Sequence, residues 1–232
     1  MNENGFISRL DECVAHYDLL CHPFYQAWSA GKLTRQDLRQ YGEAYYAHVK
    51  AFPGYLAQLG ARLEEGELRR AVLANMADVQ GGANELGEPQ PSHAELWLDF
   101  VAGMGGSRAP QLQPSGAVSA LIQWFQEVAS EGAPEEALAA FYAYESQVPR
   151  IAQEKNRGLH ELYGADEKTR AYFTLHATAD VYHSRVWRAQ LEKRIASNPE
   201  AAEKALAAAD TAARKLWQVL DGMEASRLAQ AA

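Results

Sequence analysis

The chain contains little cysteine and no excess of positive charge. Only two of its 232 residues are cysteine, Cys13 and Cys21, and 22 basic residues stand against 30 acidic ones, a net charge of −8. If the segment between them is helical, two thiols eight residues apart are too distant for a disulfide, so we interpret both as reduced. A chain this acidic is a poor candidate for broad binding to the phosphate backbone of nucleic acids, which needs a basic surface.

Long apolar runs are also missing. No segment approaches the ~18 consecutive apolar residues that a membrane span needs. The N-terminus shows neither the basic nor the apolar region of a signal peptide. We therefore expect a cytoplasmic protein with no membrane or nucleic-acid partner.

Helical periodicity dominates what remains. Apolar residues recur at i, i+3, i+4 and i+7, and no run of alternating Val, Ile and Thr predicts a strand. We predict one all-α domain, a bundle of seven or more helices spanning residues 1–232. Thr34 caps one predicted helix, which bends near Pro53. The other predicted helices cover residues 6–20, 24–30, 67–79, 92–101, 117–130, 134–147, 149–163, 166–195 and 199–229.

Three polar side chains share one face of the helix predicted over 166–195. At about 100° per residue, His176, Asp180 and His183 fall within a sector of roughly 60°. Two imidazoles and a carboxylate on an otherwise apolar stripe favour a metal site over a solvated face. This donor set suits iron or manganese better than a structural zinc site.

Other candidate ligands lie elsewhere in the chain. Glu145 stands between aromatic residues and four positions before Pro149, which cannot donate to its carbonyl. His93 begins a helix after a loop that contains Glu85 and Glu88. Alone, each is also typical of a packing kink or a solvated loop charge. Glu85, His93 and Glu145 would add to the three residues of the stripe and give a bundle three carboxylates and three imidazoles. With two divalent metal ions this set has a net charge of +1, which suits O₂.

Four long motifs resemble the CADD family, named for the chlamydial protein associating with death domains. They lie at residues 22–34, 45–53, 144–159 and 172–183, and the resemblance covers roughly residues 8–225. The wider group includes the haem-oxygenase-like dimetal proteins, the PqqC proteins and the TenA thiaminases. The resemblance implies a haem-oxygenase-like bundle without haem, which holds iron with iron or manganese and activates O₂.

The same resemblance implies a role in folate biosynthesis. Family members make p-aminobenzoate by oxidatively cleaving one of their own tyrosines, with a lysine as the proposed nitrogen donor. Tyr25 falls on the sacrificed tyrosine, Tyr41 on a second tyrosine near the metals and Lys155 on the nitrogen donor. The residues that fall on metal ligands are His93, Glu145, His176, Asp180 and His183.

One position departs from the family. Val79 stands where the resemblance places the first carboxylate ligand, and valine cannot bind a metal. Glu85, eight residues before His93, is the best substitute, with Glu88 and Asp78 as further choices.

Three other functions remain open on the sequence. A TenA-like hydrolase needs a pocket cysteine, and neither Cys13 nor Cys21 shares a motif with a base. A PqqC-like metal-free oxidase acting on a small heterocycle would not need the complete His-Asp-His stripe. A non-catalytic interaction protein would need a partner surface. An exposed apolar face on the final helix would favour a homodimer; the other expected partners are O₂ and a reductant.

Overall fold

Ten α-helices make up most of this computed structural model, which describes residues 3–83, 87–110 and 114–231. They are α1 Glu3–His16, α2 Pro23–Ser29, α3 Arg35–Arg62, α4 Glu67–Gln80, α5 His93–Gly103, α6 Gly116–Ser130, α7 Pro134–Glu145, α8 Val148–Glu161, α9 Glu167–Ser197 and α10 Ala202–Ala231. The expectation of an all-helical fold is confirmed. Within these ranges no helix is both long and apolar enough to cross a bilayer.

Side-chain caps fix where two of the site's helices begin. Thr34 Oγ1 accepts from the Asp37 amide, and Asp37 Oδ2 accepts from the Thr34 amide at 2.6 Å, a capping box at the start of α3. Ser92 and Glu95 repeat the arrangement at α5. This cap makes His93 the first residue of α5, with its side chain buried.

The N-terminal segment differs from the prediction of one helix over 6–20. α1 ends at His16, and a short 3₁₀ helix, Leu19–Cys21, follows it. Two side-chain acceptors hold this turn: Asp18 takes the Leu20 amide at 3.1 Å and Gln147 takes the Leu19 amide at 3.0 Å. The contact with Gln147 joins positions 128 apart and leaves no mark on local periodicity.

Two short strands, β1 Gly82–Ala83 and β2 Pro89–Gln90, were also not expected. They pair antiparallel, with Gly82 opposite Gln90. The pair joins the end of α4 to the start of α5. It therefore ties together the two helices that approach the candidate site from one side.

Most of the other helices pack against α9 or α10. α9 packs against α5, α7 and α8, while α10 packs against α7, α6 and α1. Apolar residues of α10 such as Leu206, Leu216 and Leu220 are buried in these contacts. They are not available to a second copy, so the homodimer stays a prediction without an apolar α10 face to support it.

Close contact between α3 and α5 depends on Gly42. Trp97 Nε1 donates to the Gly42 carbonyl at 2.7 Å. A Cβ at Gly42 would lie 2.9 Å from Val101 and 3.0 Å from Phe100. The absence of a side chain therefore sets the distance at which α5 brings His93 to the centre of the bundle.

We expect Gly42→Ala to lower the free energy of unfolding by about 1–3 kcal/mol, because its methyl group overpacks this crossing. Gly54→Ala is the matched control on the same helix, since nothing lies within 4 Å of its added Cβ. That variant should gain up to about 1 kcal/mol of helix propensity. Urea denaturation of both measures the difference, and equal midpoints would contradict the prediction.

Candidate metal centre

Two carboxylates and one imidazole converge inside the bundle. Glu145 ends α7, and Asp180 and His183 lie one turn apart on α9. One donor atom from each lies within 4.8 Å of the others, and all three side chains are buried. His183 Nδ1 stands 3.1 Å from Asp180 Oδ1 and 3.9 Å from Glu145 Oε1. We call these three residues the acidic half of the site.

Two further imidazoles lie beside them. The rings of His93 and His176 are 4.4 Å apart between centroids. His176 Nδ1 donates to the Tyr172 carbonyl at 2.7 Å, which leaves Nε2 free to bind a ligand. A cavity of about 20 Å³ is lined by both histidines together with Glu145, Asp180 and Val79. We call His93 and His176 the histidine half.

The structure thus brings together five of the six predicted ligands. The sixth, Glu85, lies outside the described residues. Glu88 is exposed. Asp78 contacts the site from behind: its Oδ2 stands 3.3 Å from His183 Nε2, the ring nitrogen that faces away from Asp180.

Two residues that hold Glu145 were missed by the sequence analysis. Trp187 Nε1 donates to Glu145 Oε2, and Asn75 Nδ2 donates to Oε1 at 3.2 Å. Trp187 continues the polar stripe of α9 four residues beyond His183, a spacing that could have identified it. No sequence signal marks Asn75, which reaches Glu145 from α4.

Burial and mutual charge control the protonation of this site. Burial, and then the charge of Asp180, raise the pKa of Glu145 to about 8. Burial alone would lower the pKa of His183, but its hydrogen bond to Asp180 and the charge of Glu145 raise it to about 9. Burial lowers the pKa of His176, and lowers that of His93 to about 2, so both rings are neutral.

This donor set fits a metal ion. Among the described residues no lysine or arginine forms an ion pair with Glu145 or Asp180. His183 is the basic side chain that both carboxylates share, and two buried carboxylates are costly unless a further cation compensates them. Neutral imidazoles with carboxylates, and no thiolate, are ligands that divalent transition metals accept. The site therefore has the charge and the donors of a metal-binding centre.

A second cluster lies close by, around Lys155. Its Nζ donates to the hydroxyls of Tyr25 and Tyr41, at 2.8 and 2.5 Å, and these hydroxyls are 3.0 Å apart. All three side chains are buried and line a cavity of about 30 Å³. Burial lowers the pKa of Lys155 well below its usual value and raises that of Tyr25. Both shifts favour the uncharged forms of the amine and of the phenol.

Tyr144 and Tyr172 separate the two cavities. Both rings line the metal cavity and the lysine cavity alike. The Tyr172 ring also stacks on His176, with centroids 3.8 Å apart. The predicted ligands and the predicted Tyr25, Tyr41 and Lys155 therefore form two adjoining chambers with a common aromatic wall.

Neither cysteine belongs to these chambers. Cys13 is half-buried and Cys21 is exposed. Neither lines the metal cavity or the lysine cavity. The site therefore lacks the thiol nucleophile that a TenA-like hydrolase needs.

Comparisons with known proteins identify the family and several relatives of this chain. A family model described as an iron-containing redox enzyme matches residues 39–217. The 4-aminobenzoate synthase of Chlamydia trachomatis is 36% identical over 220 residues, covering 94% of this chain and 91% of the relative. The 4-aminobenzoate synthase of Nitrosomonas europaea is 35% identical over 235 residues, covering 96% and 92%.

A solved structure shows the same fold. It is a domain of unknown function with a haem-oxygenase-like fold from Shewanella denitrificans. The two superpose with a TM-score of 0.78 at 18% identity, covering 97% of this chain and 94% of the other. The haem-oxygenase-like bundle expected from the sequence is confirmed.

The raised pKa values predict how the metal-free protein responds to pH. Glu145 and His183 both bind protons more tightly when folded, so their contribution to stability is present at low pH. It is lost as pH rises through about 8 and then about 9. We expect the thermal midpoint of metal-free protein to fall between about pH 6 and about pH 9.

Glu145→Gln should make the fall of the thermal midpoint with pH less steep, because the amide does not ionise. Glu127→Gln on α6, whose carboxylate is exposed and bonded to Gln123, is the matched control. A midpoint that is level or rises over this pH interval in the unmodified protein would contradict the assignment.

Proposed function

The chain belongs to the family of iron-containing redox enzymes, and on that premise we propose that it is an O₂-dependent 4-aminobenzoate synthase that consumes its own Tyr25. The observation that carries the proposal is the contact of Lys155 Nζ with the hydroxyls of Tyr25 and Tyr41, in a chamber that shares its wall with the metal site. The names of the 35–36% identical relatives support the same activity.

We assign the metal centre to His93, Glu145, His176, Asp180 and His183. These residues would hold two ions, iron with iron or iron with manganese, with O₂ as co-substrate and an external reductant. The metals would supply the oxidising power for the reaction. The buried donors, with neutral imidazoles and two carboxylates, support this assignment.

The structure of the product fixes the atoms that Tyr25 must give. Tyrosine and 4-aminobenzoate are both para-substituted rings with one carbon attached opposite the heteroatom. The Cα–Cβ bond of Tyr25 must therefore break, Cβ must be oxidised to the carboxylate and nitrogen must replace the phenol oxygen. Cα then remains in the chain as a glycine residue, the phenol oxygen leaves as water, and the Cε–Nζ bond of Lys155 breaks to leave Cε as an aldehyde. Two O₂ molecules are the oxidant, and two electrons and two protons from the reductant complete the balance, with two waters formed in all.

Lys155 is suited to supply the nitrogen. A protonated ammonium is not a nucleophile. Burial lowers the pKa of Lys155, which favours the unprotonated amine, and its Nζ stands 2.8 Å from the oxygen that nitrogen replaces. Tyr41 accepts a hydrogen bond from the same Nζ and contacts the Tyr25 hydroxyl, so it positions both groups. The apolar walls, including Phe173 and Ile151, exclude water that would compete with the amine.

We expect Tyr25→Phe to retain its metals and fold but to yield no 4-aminobenzoate, because it lacks the phenol oxygen that contacts Lys155. In the unmodified protein, aerobic reduction should produce a mass loss that peptide mapping assigns to position 25. Tyr17 lies in the turn after α1, and Tyr17→Phe is the control. It should show the same mass loss at position 25 as the unmodified protein. Undiminished product from Tyr25→Phe would remove Tyr25 from its role.

The nitrogen can be traced separately. Protein labelled with ¹⁵N at the lysine Nζ should release ¹⁵N-labelled 4-aminobenzoate, detected by mass spectrometry. Lys155→Met, similar in size, should keep the metals and release none, whereas Lys50→Met at an exposed position should behave as the unmodified protein. Unlabelled product from the labelled protein would assign the nitrogen to another donor.

A further inference from the structure

The donors of the metal centre divide unequally between its two halves. The acidic half, Glu145, Asp180 and His183, combines two carboxylates with one imidazole. The histidine half, His93 and His176, has two neutral rings and no carboxylate of its own among the described residues. Glu145 and Asp180 also line the cavity of the two histidines, so their charge acts on both halves. Within the described part of the chain, however, only the acidic half has carboxylate oxygens and an imidazole nitrogen within 4.8 Å of one another, close enough to bind one cation together.

The acidic half is also held in place before any ion binds. Trp187 and Asn75 fix the Glu145 carboxylate from two sides. Asp78 Oδ2 lies at His183 Nε2, so the ring keeps Nδ1 directed at Asp180 and Glu145. A carboxylate behind a metal-binding histidine fixes the ring and strengthens it as a ligand.

Val79 closes the histidine half with an apolar side chain. It is buried and lines the metal cavity together with His93 and His176. It lies on α4, four residues after Asn75, which touches Glu145 from the same face. A carboxylate at this position would therefore enter the cavity that the two histidines share.

We propose that the protein binds its two divalent ions in order: the first tightly at Glu145, Asp180 and His183, the second weakly at His93 and His176. Val79 is the cause of the weak second step, and Asp78 is a positioning residue for the first. The inference rests on the metal centre of the proposed function. It adds that a single bound ion is a stable state of this chain.

Titration of metal-free protein with Mn²⁺ under anaerobic conditions tests the order, by calorimetry and by the electron paramagnetic resonance of free and bound Mn²⁺. The unmodified protein should show two steps whose dissociation constants differ by about tenfold or more, equivalent to about 1.4 kcal/mol. His93→Ala should lose the second step and keep the first. Asp180→Asn should lose the first.

Two substitutions on α4 address the causes. Val79→Glu should tighten the second step by about tenfold. Ala77→Glu adds the same charge at an exposed position of the same helix and should leave both steps unchanged. Asp78→Asn should weaken the first step by about 10–100-fold, the usual cost of losing a carboxylate behind a ligating histidine, and leave the second in place.

Each outcome has a distinct meaning. Two steps of equal affinity in the unmodified protein, or a second step that Val79→Glu does not tighten in a folded variant, would overturn the inference and leave the proposed function standing. Loss of the second step in Glu85→Gln would also overturn it, because a carboxylate would then serve the histidine half. Absence of any bound Mn²⁺ would overturn both the inference and the metal centre.

Discussion

Two neighbouring buried carboxylates, Glu145 and Asp180, are the constraint that the centre of this bundle satisfies. Burying even one ionised carboxylate costs several kcal/mol unless hydrogen bonds and opposite charge compensate it. Here α4 and α9 supply Asn75 and Trp187 as donors to Glu145, and His183 supplies positive charge. A bound divalent cation would compensate the remaining electrostatic cost, and this compensation would contribute to the affinity for the cation. The rest of the site is arranged around that negative charge.

The sequence could predict those parts of the site that lie on one helix. His176, Asp180 and His183 share a face because helix geometry alone places residues at i, i+4 and i+7 together. The break before Pro149 was predictable for the same local reason, and α7 does end at Glu145. Resemblance to a family supplied Tyr25 and Lys155, whose contact spans 130 positions and depends on how α8 packs against α2. No local pattern encodes that packing.

What the sequence could not provide was the way separate elements meet. The partition by Tyr144 and Tyr172 arises only when α7 and α9 lie side by side. The sequence offers Asp78 only as a further choice of ligand, whereas the structure places its carboxylate at the outward nitrogen of His183. The substitute first favoured, Glu85, lies outside the described residues. Charge and periodicity identify a residue's chemistry, but its orientation depends on tertiary packing.

The burial of Tyr25 has a consequence for the lifetime of the protein. Its ring is almost fully enclosed, against Phe24 and Tyr41, and is part of the hydrophobic core. Deleting a buried aromatic ring costs about 3–5 kcal/mol, and a domain's whole stability is about 5–15 kcal/mol. A chain that loses this ring retains a cavity in its core, because no later step of the reaction restores the side chain. A molecule that has lost the Tyr25 side chain would therefore be less stable than an unreacted one. Proteolysis would then degrade reacted molecules in preference to unreacted ones.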